Sequence, residues 1–124
     1  MDANVAAGLA YLPVCLIHLV FSIAILATDK TNKMTRFHAV QSLLISGSIV
    51  IGYVVMFVCV AIVMVLAAAA NAPALMFVSF LFYIVFILYA LAMFVGLIIS
   101  MINAFQGKIF RLPVLGGFAD KWSN

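Results

Sequence analysis

The sequence predicts an all-α integral membrane protein with three transmembrane helices, and three observations support this fold class. The ranges 4–27, 36–70 and 75–105 contain no Asp, Glu, Lys or Arg except Arg36, at the start of the second. Of the 124 residues, 69% are hydrophobic and 7% are charged, whereas a soluble domain is about a quarter charged. Each range exceeds the roughly 18 apolar residues with which a helix crosses a bilayer. A single membrane domain over residues 1–124 follows.

The first predicted helix, about 4–27, is interpreted as a retained helix and not as a secretory signal peptide. Residues 1–8 contain no Lys or Arg, and a signal peptide begins with a basic region. The apolar range is also longer than that of a signal peptide. We therefore expect this helix to stay in the membrane.

The second and third predicted helices, about 36–70 and 75–105, are longer than a bilayer requires. At about 1.5 Å per residue they would extend roughly 45–50 Å, against about 30 Å of hydrocarbon. Asn71 suits the C-terminal end of a helix and Pro73 suits a first helical turn. The sequence thus predicts a long antiparallel hairpin whose extra length lies on the cytoplasmic side.

The basic residues predict the orientation of the chain, because all six lie after the first or the third helix. They are Lys30, Lys33, Arg36, Lys108, Arg111 and Lys121. Short loops rich in Lys and Arg stay cytoplasmic. Three crossings therefore predict the N-terminus outside and the C-terminus in the cytoplasm.

The tail 106–124 mixes apolar and basic residues and is not predicted to cross the membrane. Pro113 and the pair Gly116-Gly117 are expected to interrupt any helix in it. Trp122 and the lysines are typical interfacial anchors. We expect the tail to lie along the cytoplasmic interface of the bilayer.

Polar residues at the inner ends of the second and third helices are predicted to form one structural cluster. His38, Gln41 and Ser42 share one helix face by their i, i+3, i+4 spacing, and the hairpin places Ser42 near Asn103. The predicted inner-rim cluster comprises Arg36, His38, Gln41, Ser42, Asn103, Gln106 and Lys108.

His18 is the candidate ligand-binding residue, because it lies inside the first apolar range. An ionisable group at that depth is a functional hypothesis by default. A neutral imidazole could ligate the magnesium of a chlorophyll-type pigment or a haem iron, or contact a partner subunit. It could also hydrogen-bond to Tyr83, Tyr89 or Ser46, which is the interpretation we favour.

No catalytic or metal-binding residues are predicted. Two His-Ser pairs stand at i, i+4, but all three Asp residues lie outside the apolar ranges, so neither pair has a carboxylate to orient it. The sequence has two His and no Glu, whereas a zinc site needs at least three protein ligands. We expect neither an enzyme nor a metalloprotein, and no nucleic acid or small-molecule substrate.

Short motifs along the chain resemble a known family. They are AAGLAYL at 6–12, RFHAVQSLL at 36–44, NAFQGK at 103–108 and LPVLG at 112–116. The chain resembles small prokaryotic membrane proteins of unknown function related to the twenty-kilodalton subunit of the chloroplast inner-envelope import translocon. The resemblance implies a helical bundle in the prokaryotic inner membrane and, by analogy with the plastid relative, involvement in protein translocation.

The expected function is that of a non-enzymatic accessory or scaffold subunit of a larger complex, surrounded by membrane lipids. His18 and the lipid-like surface suggest an energy-transducing or pigment-binding complex as one host. Two alternatives stay open: a protein translocation or membrane insertion factor, implied by the resemblance, and a homo-oligomeric pore. Three helices enclose a small interior without a row of polar residues, which disfavours a channel made by one copy.

Overall fold

The computed structural model describes residues 2–12 and 16–124, and this part of the chain is helical without any strand. Its α-helices are α1 (Ala3–Leu9), α2 (Ile17–Thr28), α3 (Lys33–Ala69), α4 (Met76–Phe105) and α5 (Leu115–Ser123). A short 3-10 helix, Pro73–Leu75, precedes α4. The all-helical class predicted from the sequence is confirmed.

Helices α3 and α4 are each long and apolar enough to cross a membrane. The first has 37 residues, and the second has 33 with its leading 3-10 turn, more than the about 20 that a crossing requires. The turn between them is tight because Asn71 takes a left-handed conformation with φ 50°. The N–H groups of Asn71 and Ala72 bond back to the carbonyls of Ala68 and Ala67, a pattern that ends many helices. The predicted pair of long helices is confirmed.

The chain forms two compact units, and α3 and α4 contribute residues to both. One unit, here called the terminal unit, contains Met1–Ser46 and Phe94–Asn124. The other, called the hairpin unit, contains Gly47–Met93. The hairpin unit consists of two apolar helical segments and their turn, whereas the terminal unit holds all the other helices.

The continuous helix predicted over 4–27 is wrong, because two helices stand in its place. Helix α1 ends at Leu9 and α2 begins at Ile17. Pro13 lies between them in the sequence, outside the described residues. Its ring removes the N–H that a continuing helix needs, and it restricts the residue before it.

Helix α1 lies beside the start of α3 and runs in the same direction. The Thr35 hydroxyl donates to the carbonyl of Ala3 at 3.4 Å. Two turns further along α3, the Ser42 hydroxyl donates to the carbonyl of Ala10. The N-terminal end of α1 is therefore level with the beginning of α3.

Helix α2 runs back in the opposite direction along α3. His18, near its start, bonds to Ser46 at 2.6 Å. The carbonyl of Leu26, near its end, accepts from Arg36 at 3.2 Å. Helices α1 and α2 thus form a hairpin that enters and leaves at the same end of α3. Neither helix is among the two that are long enough to cross a membrane, so the predicted crossing by the first apolar range is not shown.

The tail folds back onto the terminal unit. Ala119 in α5 packs against Phe37 and Val40 of α3, and the carbonyl of Ser123 accepts from Arg36 at 3.0 Å. The expectation that Gly116-Gly117 interrupts any helix here is wrong, since α5 contains both glycines. The interfacial position of the tail stays a prediction.

Gly116 packs too closely for a methyl group. An added Cβ would lie 2.7 Å from Cβ and 2.9 Å from Cα of Arg111, whereas one on Gly117 would meet nothing within 4 Å. We expect Gly116→Ala to lower the free energy of unfolding by about 1–3 kcal/mol and to loosen the tail, measured as faster proteolysis in detergent micelles. Gly117→Ala is the matched control and should leave proteolysis unchanged. Equal effects of the two substitutions would contradict the close packing at Gly116.

Candidate functional site

A buried polar cluster, which we call the Gln41 cluster, joins four segments of the terminal unit. Gln41 is fully buried, and its Nε2 lies 3.1 Å from Tyr11 Oη, 3.2 Å from Ser100 Oγ and 2.9 Å from the Phe110 carbonyl. Its Oε1 accepts from the Leu112 N–H at 3.3 Å. The amide has two hydrogens for three acceptors, so one hydrogen is shared. One side chain thereby ties the N-terminal segment, α4 and the tail to α3.

The contacts of His38 determine which of its ring nitrogens carries the hydrogen. Nε2 lies 3.1 Å from the Lys108 carbonyl, which can only accept, so Nε2 is the donor. Nδ1 of the neutral ring then accepts from the Tyr11 hydroxyl at 2.9 Å. The Tyr11 oxygen in turn accepts from Gln41. Each hydrogen bond from the Lys108 carbonyl through His38 and Tyr11 to Gln41 therefore has one donor and one acceptor.

A second group of polar contacts holds the turn that follows α1. The hydroxyls of Ser42 and Ser22, both fully buried, donate to the same carbonyl, that of Ala10. This carbonyl stands at the end of α1, where helix carbonyls lack intrahelical partners. The two serines therefore fix the turn against α2 and α3.

Arg36 lies at the end of the terminal unit where α2, α3 and α5 meet. Its Nη1 donates to the carbonyls of Leu26 at 3.2 Å and Asp29 at 2.9 Å. Its Nε donates to the carbonyl of Ser123. All three acceptors are backbone carbonyls, so Arg36 fastens three chain segments without an ion pair in these bonds.

The remaining predicted members of the inner-rim cluster contribute no side chain to the Gln41 cluster. Asn103 Nδ2 donates to the carbonyl of Ile99 in its own helix, at 2.8 Å. Gln106 and Lys108 are exposed, and Lys108 contributes only its carbonyl. The structure thus brings together His38 and Gln41, gives Arg36 and Ser42 other partners, and leaves the Asn103 and Gln106 side chains outside.

Tyr11 and Ser100 were missed in the sequence, although both are fully buried members of the Gln41 cluster. The predicted continuous helix over 4–27 contains Tyr11 and would carry it away from His38. Pro13, two residues later, was the available signal for a break. Ser100 lies one turn before Asn103 on α4, and no polar periodicity marks its face.

His18 is hydrogen-bonded within the terminal unit. Its Nε2 lies 2.6 Å from Ser46 Oγ, and Ser46 is one of the three partners considered from the sequence. Its other ring nitrogen, Nδ1, is buried and has no hydrogen-bond partner among the described residues. The role of His18 as a ligand of a pigment magnesium or a haem iron stays a prediction.

The acidic residues of the chain are each engaged close by. Asp2 and Asp29 accept from backbone N–H groups two or three residues later, and Asp120 pairs with Arg111 at 2.6 Å. Across residues 2–12 and 16–124, no group of three or more His, Cys, Asp or Glu stands where it could hold a metal ion.

Comparison with known proteins identifies a family for most of the chain. A family model described as the Magnetosome magnetite crystal formation protein family, MamF/MmsF, matches residues 2–119. The chain is also similar to the UPF0132 membrane protein MJ1443 of Methanocaldococcus jannaschii, with 27% identity over 125 residues, 100% of this chain and 91% of the relative. No solved structure matches the chain.

These matches overturn the resemblance to the translocon-related proteins, which is wrong. The motifs on which it rested, RFHAVQSLL and LPVLG, include Gln41 and its partner Leu112. Because the family model covers residues 2–119 of the 124, the chain belongs to the MamF/MmsF family.

Proposed function

We propose that this chain is a non-enzymatic, two-pass membrane protein that acts by association within the membrane, as a scaffold for further copies or for other membrane proteins. The surface of the hairpin unit carries this proposal. Large apolar side chains are exposed along both of its helical segments, among them Val50, Phe57, Phe80 and Leu88. Such a surface is a liability in water, whereas lipid and neighbouring transmembrane helices accommodate it.

Two crossings follow from the lengths and directions of the helices. Helices α1 and α2 have 7 and 12 residues, fewer than the about 20 that a crossing requires. We infer that they form a re-entrant hairpin, which enters the membrane and returns to the same side. The N-terminus, the loop before α3 and the tail then share one side. Lys30 in that loop and Lys33 at the start of α3 favour the cytoplasm.

The polar groups of the terminal unit support a structural role. The side chains of His38, Gln41 and Ser42 are buried and bonded to other parts of the protein. A general base or nucleophile needs a reacting group within hydrogen-bond reach. Here those positions are taken by backbone carbonyls and by Tyr11, so the contacts hold the fold together.

A contribution to magnetite crystal formation is the second candidate, favoured by the family match. We propose that such a role would act through the membrane and not through iron held by carboxylates. The chain has three acidic residues and a net charge of +3, and each carboxylate is engaged locally. In a magnetosome-forming host, deletion of the gene should alter the magnetite crystals seen by electron microscopy. Unchanged crystals would remove this candidate.

Native mass spectrometry of the protein, extracted from its own membrane in a mild detergent, tests the scaffold proposal. We expect particles heavier than the 13.4 kDa chain, made of further copies or of other membrane proteins. Val50, Val54, Val58 and Ile62 are exposed positions spaced by four residues along one face of α3. Trp substitutions at these positions should dissociate the particle. Phe118→Trp on α5 is the control outside the hairpin unit. A bare monomer would overturn the proposal, and so would a particle unaffected by every substitution in α3.

A further inference from the structure

A cavity of about 340 Å³ lies in the terminal unit between the end of α2, the start of α3 and the end of the tail. Lys30, Lys33 and Arg36 line it together with Leu26 and Ser123. Half of the six Lys and Arg residues of the chain therefore face one cavity. Its volume lies at the lower end of the range of small-ligand sites, about 300–1,000 Å³.

The positive charge of this cavity is not neutralised by an ion pair in the described part of the chain, where the one salt bridge joins Arg111 to Asp120. Arg36 spends its hydrogen bonds on carbonyl groups, which carry no net charge. Lys30 and Lys33 are exposed. The cavity thus presents three cations to whatever enters it.

Asp29 is the acidic residue nearest in sequence, and its carboxylate is occupied elsewhere. Its Oδ1 accepts from the N–H groups of Asn32 at 3.0 Å and Thr31 at 3.2 Å. These two bonds, with a smaller contribution from Arg36, hold the pKa of the Asp29 carboxyl below its usual range. Asp29 lines a different cavity, beside Phe21 and Thr35. It shapes the loop that carries Lys30, and in the described part of the chain it forms no ion pair with the three cations.

We propose that this cavity binds the phosphate group of an anionic membrane phospholipid. Arginine and lysine suit phosphate in different ways, since a guanidinium donates in a fixed plane and an ammonium acts as a point charge. Three carbonyls hold Arg36 in place and take up its Nε and Nη1 hydrogens. Its Nη2 is left to donate to the phosphate, and the two exposed lysines add positive charge. Leu26 supplies an apolar wall for the first part of the lipid tail.

The position of the cavity favours a lipid over a free anion. It lies where α3 begins, and α3 is one of the two helices able to cross a membrane. Basic residues at the cytoplasmic end of a transmembrane helix meet the anionic lipids of that leaflet. This step rests on the membrane placement proposed above. Flotation of the protein with vesicles tests that placement separately.

The test is native mass spectrometry of the protein in detergent, titrated with phosphatidylglycerol or with phosphatidylcholine. We expect retention of phosphatidylglycerol in preference to phosphatidylcholine. In the variant Lys30→Gln/Lys33→Gln this affinity should fall by about 25-fold, about fivefold for each lysine. Arg36 is left intact, because it also fastens the fold. Lys108→Gln/Lys121→Gln removes the same charge at exposed positions outside the cavity and is the matched control.

The outcomes distinguish a specific lipid site from non-specific electrostatic binding of lipid and from a site for inorganic phosphate. Loss of affinity in the first variant alone supports the site, and an equal loss in the control overturns it. Competition by millimolar inorganic phosphate would keep the phosphate site but assign it to the free anion. Equal retention of both lipids would also overturn the proposal. Melting temperatures of both variants, measured without added lipid, show whether a loss comes from unfolding.

Discussion

Replacing Gln41 by leucine should lower the free energy of unfolding of the protein by about 3–4 kcal/mol. The substitution removes every bond of the buried amide and leaves Ser100 Oγ, the Phe110 carbonyl and the Leu112 N–H without this partner. A buried polar group that loses its partner costs about 1–3 kcal/mol. The tail and α4 should therefore loosen together, since Gln41 is bonded to both.

Unfolding by sodium dodecyl sulfate in mixed micelles measures this effect, with Trp122, the single tryptophan, as the fluorescent reporter on α5. Asn103→Leu is the matched control, because it also replaces an amide by leucine in a long helix. The Asn103 amide bonds to a carbonyl of its own helix, and we expect a change within about 0.5 kcal/mol. Similar losses in both variants would contradict the central role of Gln41.

Labelling of single cysteines should place the N-terminus on the same side of the membrane as the loop before α3. The positions are Val5→Cys, Lys30→Cys and Ala74→Cys, all exposed, in a background in which Cys15 and Cys59 are replaced by alanine. In intact cells, an impermeant maleimide should label Ala74→Cys alone. After lysis it should label all three, because the α1–α2 hairpin returns to the side from which it came.

This labelling distinguishes two crossings from three with an all-or-none result. Three crossings would place Val5→Cys with Ala74→Cys, outside the cell. Lys30→Cys is the control for the cytoplasmic side in both arrangements. Labelling of Val5→Cys in intact cells would therefore overturn the re-entrant hairpin. Labelling of Lys30→Cys in intact cells would instead reverse the whole orientation.

Much of the candidate site could be predicted in position but not in detail. His38, Gln41 and Ser42 share one helix face in the sequence pattern, and the structure does bury all three. Helix α4 is apolar all round, so the pattern does not show which of its faces turns inward. The pattern therefore does not predict that Ser100 is buried and that Asn103 is not, although the two residues lie one turn apart.

The sequence by itself determined the membrane class and the two long helices. Long apolar ranges without charged residues are suited to a membrane, and the turn residues between them end one helix and begin the next without any distant contact. Only the tertiary structure decided the hairpin of α1 and α2 and the polar cluster. Those features depend on bonds between distant residues, such as Gln41 with Phe110 and Arg36 with Ser123. A buried polar group must find some partner, and which partner it finds depends on how the helices pack.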